Sequence, residues 1–335
     1  MTEPVRMDQE ALTALVTRAF EASRVAPGNA ASVARALVAA EIDGQAGHGL
    51  SRVASYAAQA RSGKVAGAAS PEVTRPAPGW IAVDAKHGFA YPALDAGIEE
   101  LIHAARAQGV AAMAVRRSHH CGQLGAQVER LAGAGLVALM VANTPKAMAA
   151  WGGRTALLGT NPIAFAAPRA AGAPLVVDLS LSKVARGKIM AAKKAGQPIP
   201  EGIALDAEGR PTTDPDAALD GTMIPAGEAK GAALALVVEI LAATLTGATP
   251  SREASSFFEA DGPPPGVGQL LLALDPGRTE GFAAELEALL SAMAEDAEVR
   301  LPGSRRLAAR ARAADEGVLV PAHLHGEIVA LASGV

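Results

Sequence analysis

From Trp80 onward the chain alternates short apolar runs with stretches of helical spacing, and this alternation restricts it to an α/β architecture. Strands are predicted at Trp80–Val83, Val110–Val115, Leu136–Asn143, Ile163–Ala167, Leu175–Leu179 and Gln269–Leu274. Helices are predicted at Leu94–Ala107, Leu124–Ala134, Ser182–Lys194 and Lys230–Thr246, and helices close the chain. A proline-punctuated loop covers Gln197–Pro215, and Thr249–Pro265 reads as a disorder-like insert with a mobile Asp261–Pro265 tip. Half of the residues are hydrophobic but only 3% are aromatic. The core must therefore be assembled from Ala, Val, Leu and Ile, with close helix–sheet contacts.

The first 64 residues read differently. Ala11, Leu12, Leu15, Val16, Ala19 and Phe20 recur at helical spacing, and a second helix spans Asn29–Ile42. After the polar break Asp43–Gly49, Ser51 stands where an N-cap would precede a helix over Val53–Arg61. Gly63–Gly79, rich in Gly, Ala, Ser and Pro, reads as a domain boundary. The resulting division is an N-terminal helical segment (1–70), an α/β domain (71–300) and a C-terminal helical segment (301–335).

Composition excludes several classes of function. The formal net charge is −4, with no basic stripe and no aromatic interleaving, so nucleic acid is a poor partner. The single cysteine, Cys121, rules out an intrachain disulfide framework and fits a reducing compartment. No apolar run has signal-peptide or membrane-spanning character, so a cytoplasmic protein without membrane attachment is expected. The seven histidines show no zinc-type spacing, so no metal site is expected. The dinucleotide fingerprint Gly-x-Gly-x-x-Gly, the Walker loop, His-Glu-x-x-His and Gly-x-Ser-x-Gly are all missing.

Seven blocks carry a more specific signal. They are GHGLSR (Gly47–Arg52), SHHCG (Ser118–Gly122), WGG (Trp151–Gly153), LLGTNPIAFAAPR (Leu157–Arg169), DLSLSKVARGK (Asp178–Lys188), PIPEGIALDAEGRPTTDP (Pro198–Pro215) and AKG (Ala229–Gly231). In order and spacing they resemble the malate/L-lactate dehydrogenase-like family, which includes sulfolactate dehydrogenases and Δ1-piperideine-2-carboxylate/Δ1-pyrroline-2-carboxylate reductases. DLSLSKVARGK and the SSFF at Ser255–Phe258 look nearest to the sulfolactate members. The resemblance implies a non-Rossmann, sulfolactate-dehydrogenase-like fold. In it a large mixed sheet is joined to a helical domain that the two chain ends form together. It further implies NAD(P)H as cofactor, a 2-oxo acid or cyclic imine as substrate, and a homodimer with its site near the subunit interface.

Reduction of a 2-oxo acid needs a cation for the carboxylate, a proton donor for the oxygen and a nicotinamide held close to C2. Arg52 suits the carboxylate, because a guanidinium presents paired donors. His48 and His120 both suit the proton, since imidazole titrates near neutrality, and the sequence does not choose between them. His119 reads as structural and Cys121 as a small buried residue. Thr160 and Asn161 lie on a turn before Pro162, where their hydroxyl and amide either bind substrate or the nicotinamide amide or cap the strand. Thr160 is a substrate candidate through its hydroxyl. By resemblance, Arg186 and Gly187 contact substrate, while His120, Cys121, Gly122, Gln123, Leu124, Asp178, Leu179 and Ser180 contact cofactor. Lys230 opens a very apolar helix, where a cation opposes the helix dipole, so a phosphate or ribose partner is expected there. Arg305, within PGSRR (Pro302–Arg306), is a further cofactor candidate. Imine-reducing relatives carry a Ser before the catalytic His and an Asp after the Arg/His-Gly pair. Here Gly47 and Lys188 stand there, which favours a 2-hydroxy acid over a cyclic imine. The different-class alternative is an inactive chain that retains the cofactor pocket, and it is disfavoured by the presence of His48, Arg52, His120 and Lys230. Nothing in the sequence separates NAD from NADP.

Overall fold

The computed structural model describes residues 3–334. At the start, β1 (Val5–Met7) leads into α1 (Gln9–Glu21), whose N-cap Asp8 accepts from the amides of Glu10 and Ala11. Next come α2 (Pro27–Ile42) and α3 (Val53–Ser62). Between them run two short 3₁₀ turns, Ala46–His48 and Leu50–Arg52. Ser51 therefore lies inside a turn and does not cap α3; its hydroxyl donates to the Ala46 carbonyl (2.6 Å).

The α/β part opens with β2 (Glu72–Ala77), β3 (Trp80–Asp84), α4 (Ala90–Gln108), β4 (Val110–Ser118), α5 (Gly125–Gly133) and β5 (Val137–Ala142). The segment predicted as a domain boundary thus contains a sheet strand, β2. Short strands β6 (Met148–Ala149) and β7 (Ala156–Leu158) form a separate hairpin before β8 (Ile163–Ala167) and β9 (Leu175–Leu179). There follow α6 (Arg186–Ala195), β10 (Ala204–Leu205), α7 (Pro215–Asp220), β11 (Thr222–Met223), α8 (Glu228–Glu239), which runs on into a π turn at Ile240–Thr244, and β12 (Val267–Leu274). The chain ends with α9 (Phe282–Ala294), α10 (Ser304–Glu316), β13 (Val318–Val320) and α11 (Ala322–Ala332).

Seven strands make one sheet in the order β2-β3-β4-β12-β5-β8-β9. Only β3 and β4 pair in parallel; the other neighbours are antiparallel, so the sheet is mixed as expected. Strand alternation sends side chains to two faces. On β4, Ala111, Met113 and Val115 join α4 and α5 in one core, while Ala112 and Ala114 face α8 in another. Small residues permit the close approach: a Cβ on Gly268 would lie 2.0 Å from the Ala242 carbonyl, so only glycine lets the π turn sit on β12. A third core joins α1, α2 and α3 to Val318, Val320 and Ile328, and β1 pairs with β13, so the chain ends share one helical layer.

By these pairings β4, β5 and β9 run in the same direction. Their C-terminal ends therefore open on one edge of the sheet, where backbone groups no longer needed for the ladder can meet a ligand.

Candidate active site

A cavity of about 370 Å³ occupies that edge. The 3₁₀ turns supply His48 and Arg52, the loop after β4 supplies His119–Leu124, and the end of β9 supplies Asp178–Ser180. Thr160, Arg186 and Gly187 also line it. The sequence candidates thus converge, with three exceptions: Lys230 and Arg305, which are exposed, and Asn161 do not line the cavity. Asn161 is buried away from it, donating to the Ala235 carbonyl and to Glu239.

The 3₁₀ turns are fixed from α2. Glu41 accepts from the Leu50 amide (2.9 Å), and a Cβ on Gly49 would displace that carboxylate and stand 3.0 Å from the Glu41 backbone, so the second glycine of GHG favours this close packing on α2. Arg52 is buried, and its Nε donates to the Gly47 carbonyl (2.7 Å). Its guanidinium lies over the Phe258 ring, 4.6 Å from the centroid. Among the described residues no carboxylate pairs with it, so the remaining N–H donors are free to meet a ligand in the cavity.

The histidines form a stack. His48 and His120 lie nearly parallel with ring centroids 5.2 Å apart, and Phe257 packs on His120 at 5.0 Å and on His119 at 5.4 Å. Tyr56 hydrogen-bonds His120 Nδ1. Gln59 accepts from His119 Nε2 (2.8 Å) while donating to the Phe257 carbonyl (2.7 Å). Both tyrosines, together with Phe20, Phe89, Phe257 and Phe258, gather at this seam, so the few aromatic rings of the chain are concentrated here. Burial, followed by the Arg52 charge, lowers His48 to about 4 and His119 to about 3, and holds His120 well below the usual imidazole range. All three are neutral at pH 7. His48 Nδ1 is buried without a partner among the described residues. Burial pushes the Cys121 thiol up to about 12, so it stays protonated and serves as wall.

At the other end, Asp178 accepts from the Gly125 amide (2.7 Å) at the start of α5. It is open to the cavity on one side and crowded by protein on the others. That crowding raises its carboxyl, against the pull of the Gly125 amide. Gly122 has φ +67°, and a Cβ there would sit 2.6 Å from Tyr91 Oη. Gln123 is tied to Asp43 (2.8 Å), which Arg310 of α10 grips in turn.

Sequence reasoning missed Tyr56, Gln59 and the walls contributed by Asn143, Lys146, Phe257 and Phe258. Thr249–Pro265, expected as a disorder-like insert, is an irregular segment with Ser251 and Phe257 buried. Its SSFF block was the available signal. Among the described residues no cluster of three His, Cys, Asp or Glu could hold a metal, and no helix is long and apolar enough to cross a membrane.

The fold coincides with that of known proteins. The profile of the malate/L-lactate dehydrogenase family matches residues 7–329, and the chain belongs to that family. It is 56% identical over 319 residues, 95% of each chain, to the (2R)-3-sulfolactate dehydrogenase (NADP(+)) of Chromohalobacter salexigens. It is 42% identical over 332 residues, 98% of this chain and 99% of the relative, to a Δ1-pyrroline-2-carboxylate/Δ1-piperideine-2-carboxylate reductase of Pseudomonas aeruginosa. The crystal structure of Δ1-piperideine-2-carboxylate reductase from Pseudomonas syringae superposes with a TM-score of 0.93 at 38% identity, covering 98% of this chain and 99% of the other. The protein is an oxidoreductase of this family, and its large mixed sheet is the family fold.

Proposed function

We propose that the chain interconverts a small 2-hydroxy acid and its 2-oxo acid with NADP(H), and that the acid carries a second anionic group, as sulfolactate does. One observation carries this reading: the cavity is lined by three cations, Arg52, Lys146 and Arg186, against one carboxylate, Asp178, and Arg52 is buried with no counter-ion among the described residues. An unpaired buried charge is costly unless a ligand answers it. The substrate carboxylate is that answer at Arg52, and the surplus at Arg186 and Lys146 favours a dianion over lactate or a cyclic imine acid. The relative named for (2R)-3-sulfolactate and NADP(+) supports the same choice.

Residues 121–125 and 178–180 fit a dinucleotide. The wall there combines Gly122 and the apolar side chains of Leu124 and Leu179 with the polar groups of Gln123 and Ser180, and Asp178 spends one oxygen on Gly125 and keeps acceptor capacity for a ribose hydroxyl. When bound, a reduced nicotinamide supplies the hydride to C2. The protein supplies the rest. Arg52 fixes the carboxylate edge-on, with the Phe258 ring behind it. His48 gives the carbonyl oxygen its proton, and takes it back in the oxidation. In the free site His48 is kept neutral by its burial first and by the Arg52 charge second. A carboxylate seated on Arg52 cancels that field and raises the imidazole, so arrival of substrate readies the acid. His120, held by Tyr56, backs His48 in the stack.

The working form is a homodimer in the cytoplasm. Leu234, Leu236, Val237, Ile240 and Leu245 leave α8 and its π turn apolar on the outside as well as the inside, as expected of a helix covered by a second copy. Light scattering of the purified chain checks this, and Ile240→Glu is expected to yield monomers.

The test of substrate is a steady-state panel of 3-sulfopyruvate, oxaloacetate, pyruvate and Δ1-piperideine-2-carboxylate with NADPH and NADH. The dianions are expected to have the highest kcat/KM. Preference for the cyclic imine would replace this reading with the reductase one.

A further inference from the structure

We infer that the end of α3 is a clamp that sets substrate affinity. Gln59, Ser62 and Lys64 grip the backbone of residues 256–260 and thereby hold Phe257 and Phe258 against the histidines and Arg52. Four carbonyls of this strap are taken by side chains from one place. Lys64 Nζ donates to the carbonyls of Ser256 (2.7 Å) and Glu259 (2.9 Å). Gln59 holds that of Phe257 (2.7 Å), and Ser62 that of Ala260 (2.7 Å). Phe258 stands at the crest between them, its amide turned back on Ser256 Oγ (3.1 Å).

Lys64 is 2% exposed and Gln59 fully buried. A buried ammonium is unfavourable unless its hydrogens are satisfied, and among the described residues no carboxylate pairs with this one. Its hydrogens go instead to strap carbonyls. A long segment without regular structure is ordinarily the loosest part of a domain. Here it is gripped at four points, and the side chains it presents are those that touch the site. Phe258 backs the flat face of the Arg52 guanidinium, which leaves the edge donors directed at the ligand. Phe257 packs on both histidines. Gln59 joins the two functions in one amide, gripping the strap with its nitrogen and His119 with its oxygen. These three are positioning residues: they touch no reacting atom and act through Phe257, Phe258 and Arg52.

The inference rests on Arg52 binding the substrate acid, but not on which acid. The experiment therefore uses whichever member of the four-substrate panel the wild-type enzyme reduces fastest, and adds a readout that needs no substrate. Lys64→Met is expected to raise KM roughly 10-fold, within the range for losing hydrogen bonds to a charged group. It should leave kcat within about a factor of three and NADPH affinity unchanged, the pattern of lost binding common to ground and transition states. Amide hydrogen exchange of residues 254–262 in the free enzyme should quicken. The deciding arm is a double-mutant cycle with Phe258→Ala. If Lys64 acts through Phe258, adding Lys64→Met to Phe258→Ala raises KM little further. A full, additive KM increase in the Phe258→Ala background overturns the inference, as does unchanged exchange in the strap. Should Lys64→Met fail to fold, Ser62→Ala removes the grip on Ala260 at the exposed end. It is expected to show the same pattern more weakly, and unchanged KM together with unchanged exchange in that variant would equally overturn the inference.

Discussion

Two buried or half-buried arginines are handled in opposite ways. At the seam between α2, α5 and α10, Arg310 is held by both Asp43 (2.5 and 3.0 Å) and Glu129 (2.7 and 2.9 Å). Those two carboxylates hold its guanidinium firmly protonated. At the cavity, Arg52 is more deeply buried and, among the described residues, meets one backbone carbonyl, one aromatic face and no acid. Where the fold uses arginine as a structural tie, it supplies the counter-charge. Where it withholds the counter-charge, the ligand must bring it. The histidines beside Arg52 follow from the same choice, since burial and an uncancelled positive charge together keep them neutral.

That contrast can be broken most forcefully at the imidazoles. His48→Ala is expected to lower turnover by about 10²–10⁴, the usual contribution of general acid–base catalysis, with NADPH affinity unchanged. Steady-state rates and a cofactor titration check it. His120→Ala is the control: if it abolishes turnover while His48→Ala keeps nearly full rate, the two roles are exchanged. The next effect is on stability. Arg310→Met leaves Asp43 buried beside Gln123 without its cation and is expected to cost about 1–3 kcal/mol in urea unfolding, less than a fully buried pair because Arg310 is half-exposed. KM should not follow.

A smaller effect is the pH dependence of stability. His48 and His119 titrate at about 4 and about 3 in the folded protein, and His120 well below 6.5. Between pH 6.5 and about 4 the unfolded chain therefore binds more protons than the folded one. This contribution is complete above pH 6.5 and is lost as pH falls. Asp84, which burial alone would raise, is held at about 2 by the Arg117 hydrogen bond, the Lys86 amide and the charges of Arg117 and Arg116 together, and adds a loss of the same sign at still lower pH. Urea melts of wild type at pH 7.5, 6 and 5 should show a steady decline, and His119→Gln should flatten it.

The legible and illegible parts of the site divide along a physical line. Ile163–Ala167 and Leu175–Leu179 are strands with the predicted limits, because buried strands must be apolar runs. GHGLSR and SHHCG exposed His48, Arg52 and His120, because short blocks of imidazole, guanidinium and glycine have few structural uses. What periodicity could not expose is who meets whom across the fold. Tyr56 lies 64 positions before His120, and Gln59 lies 198 before Phe257. Neither pairing leaves a local mark. The strap misled for a related reason: its Gly and Pro content signals irregular backbone, and irregular backbone reads as disorder until the Lys64 and Ser62 grips are seen. Ser51 misled differently, since a hydroxyl before an apolar run resembles a cap, but the 3₁₀ turn directs it to Ala46.

The central claim, that Arg52 is left unpaired in order to bind the substrate acid, is tested most directly by Arg52→Lys set beside Arg310→Lys. For Arg52→Lys, KM for the best 2-oxo acid should rise by about 10- to 150-fold, the equivalent of the roughly 1.5–3 kcal/mol of a charged hydrogen bond. NADPH affinity should hold, and KM in Arg310→Lys should stay at the wild-type value. An unchanged KM in Arg52→Lys, or an equal loss of NADPH affinity, would contradict it.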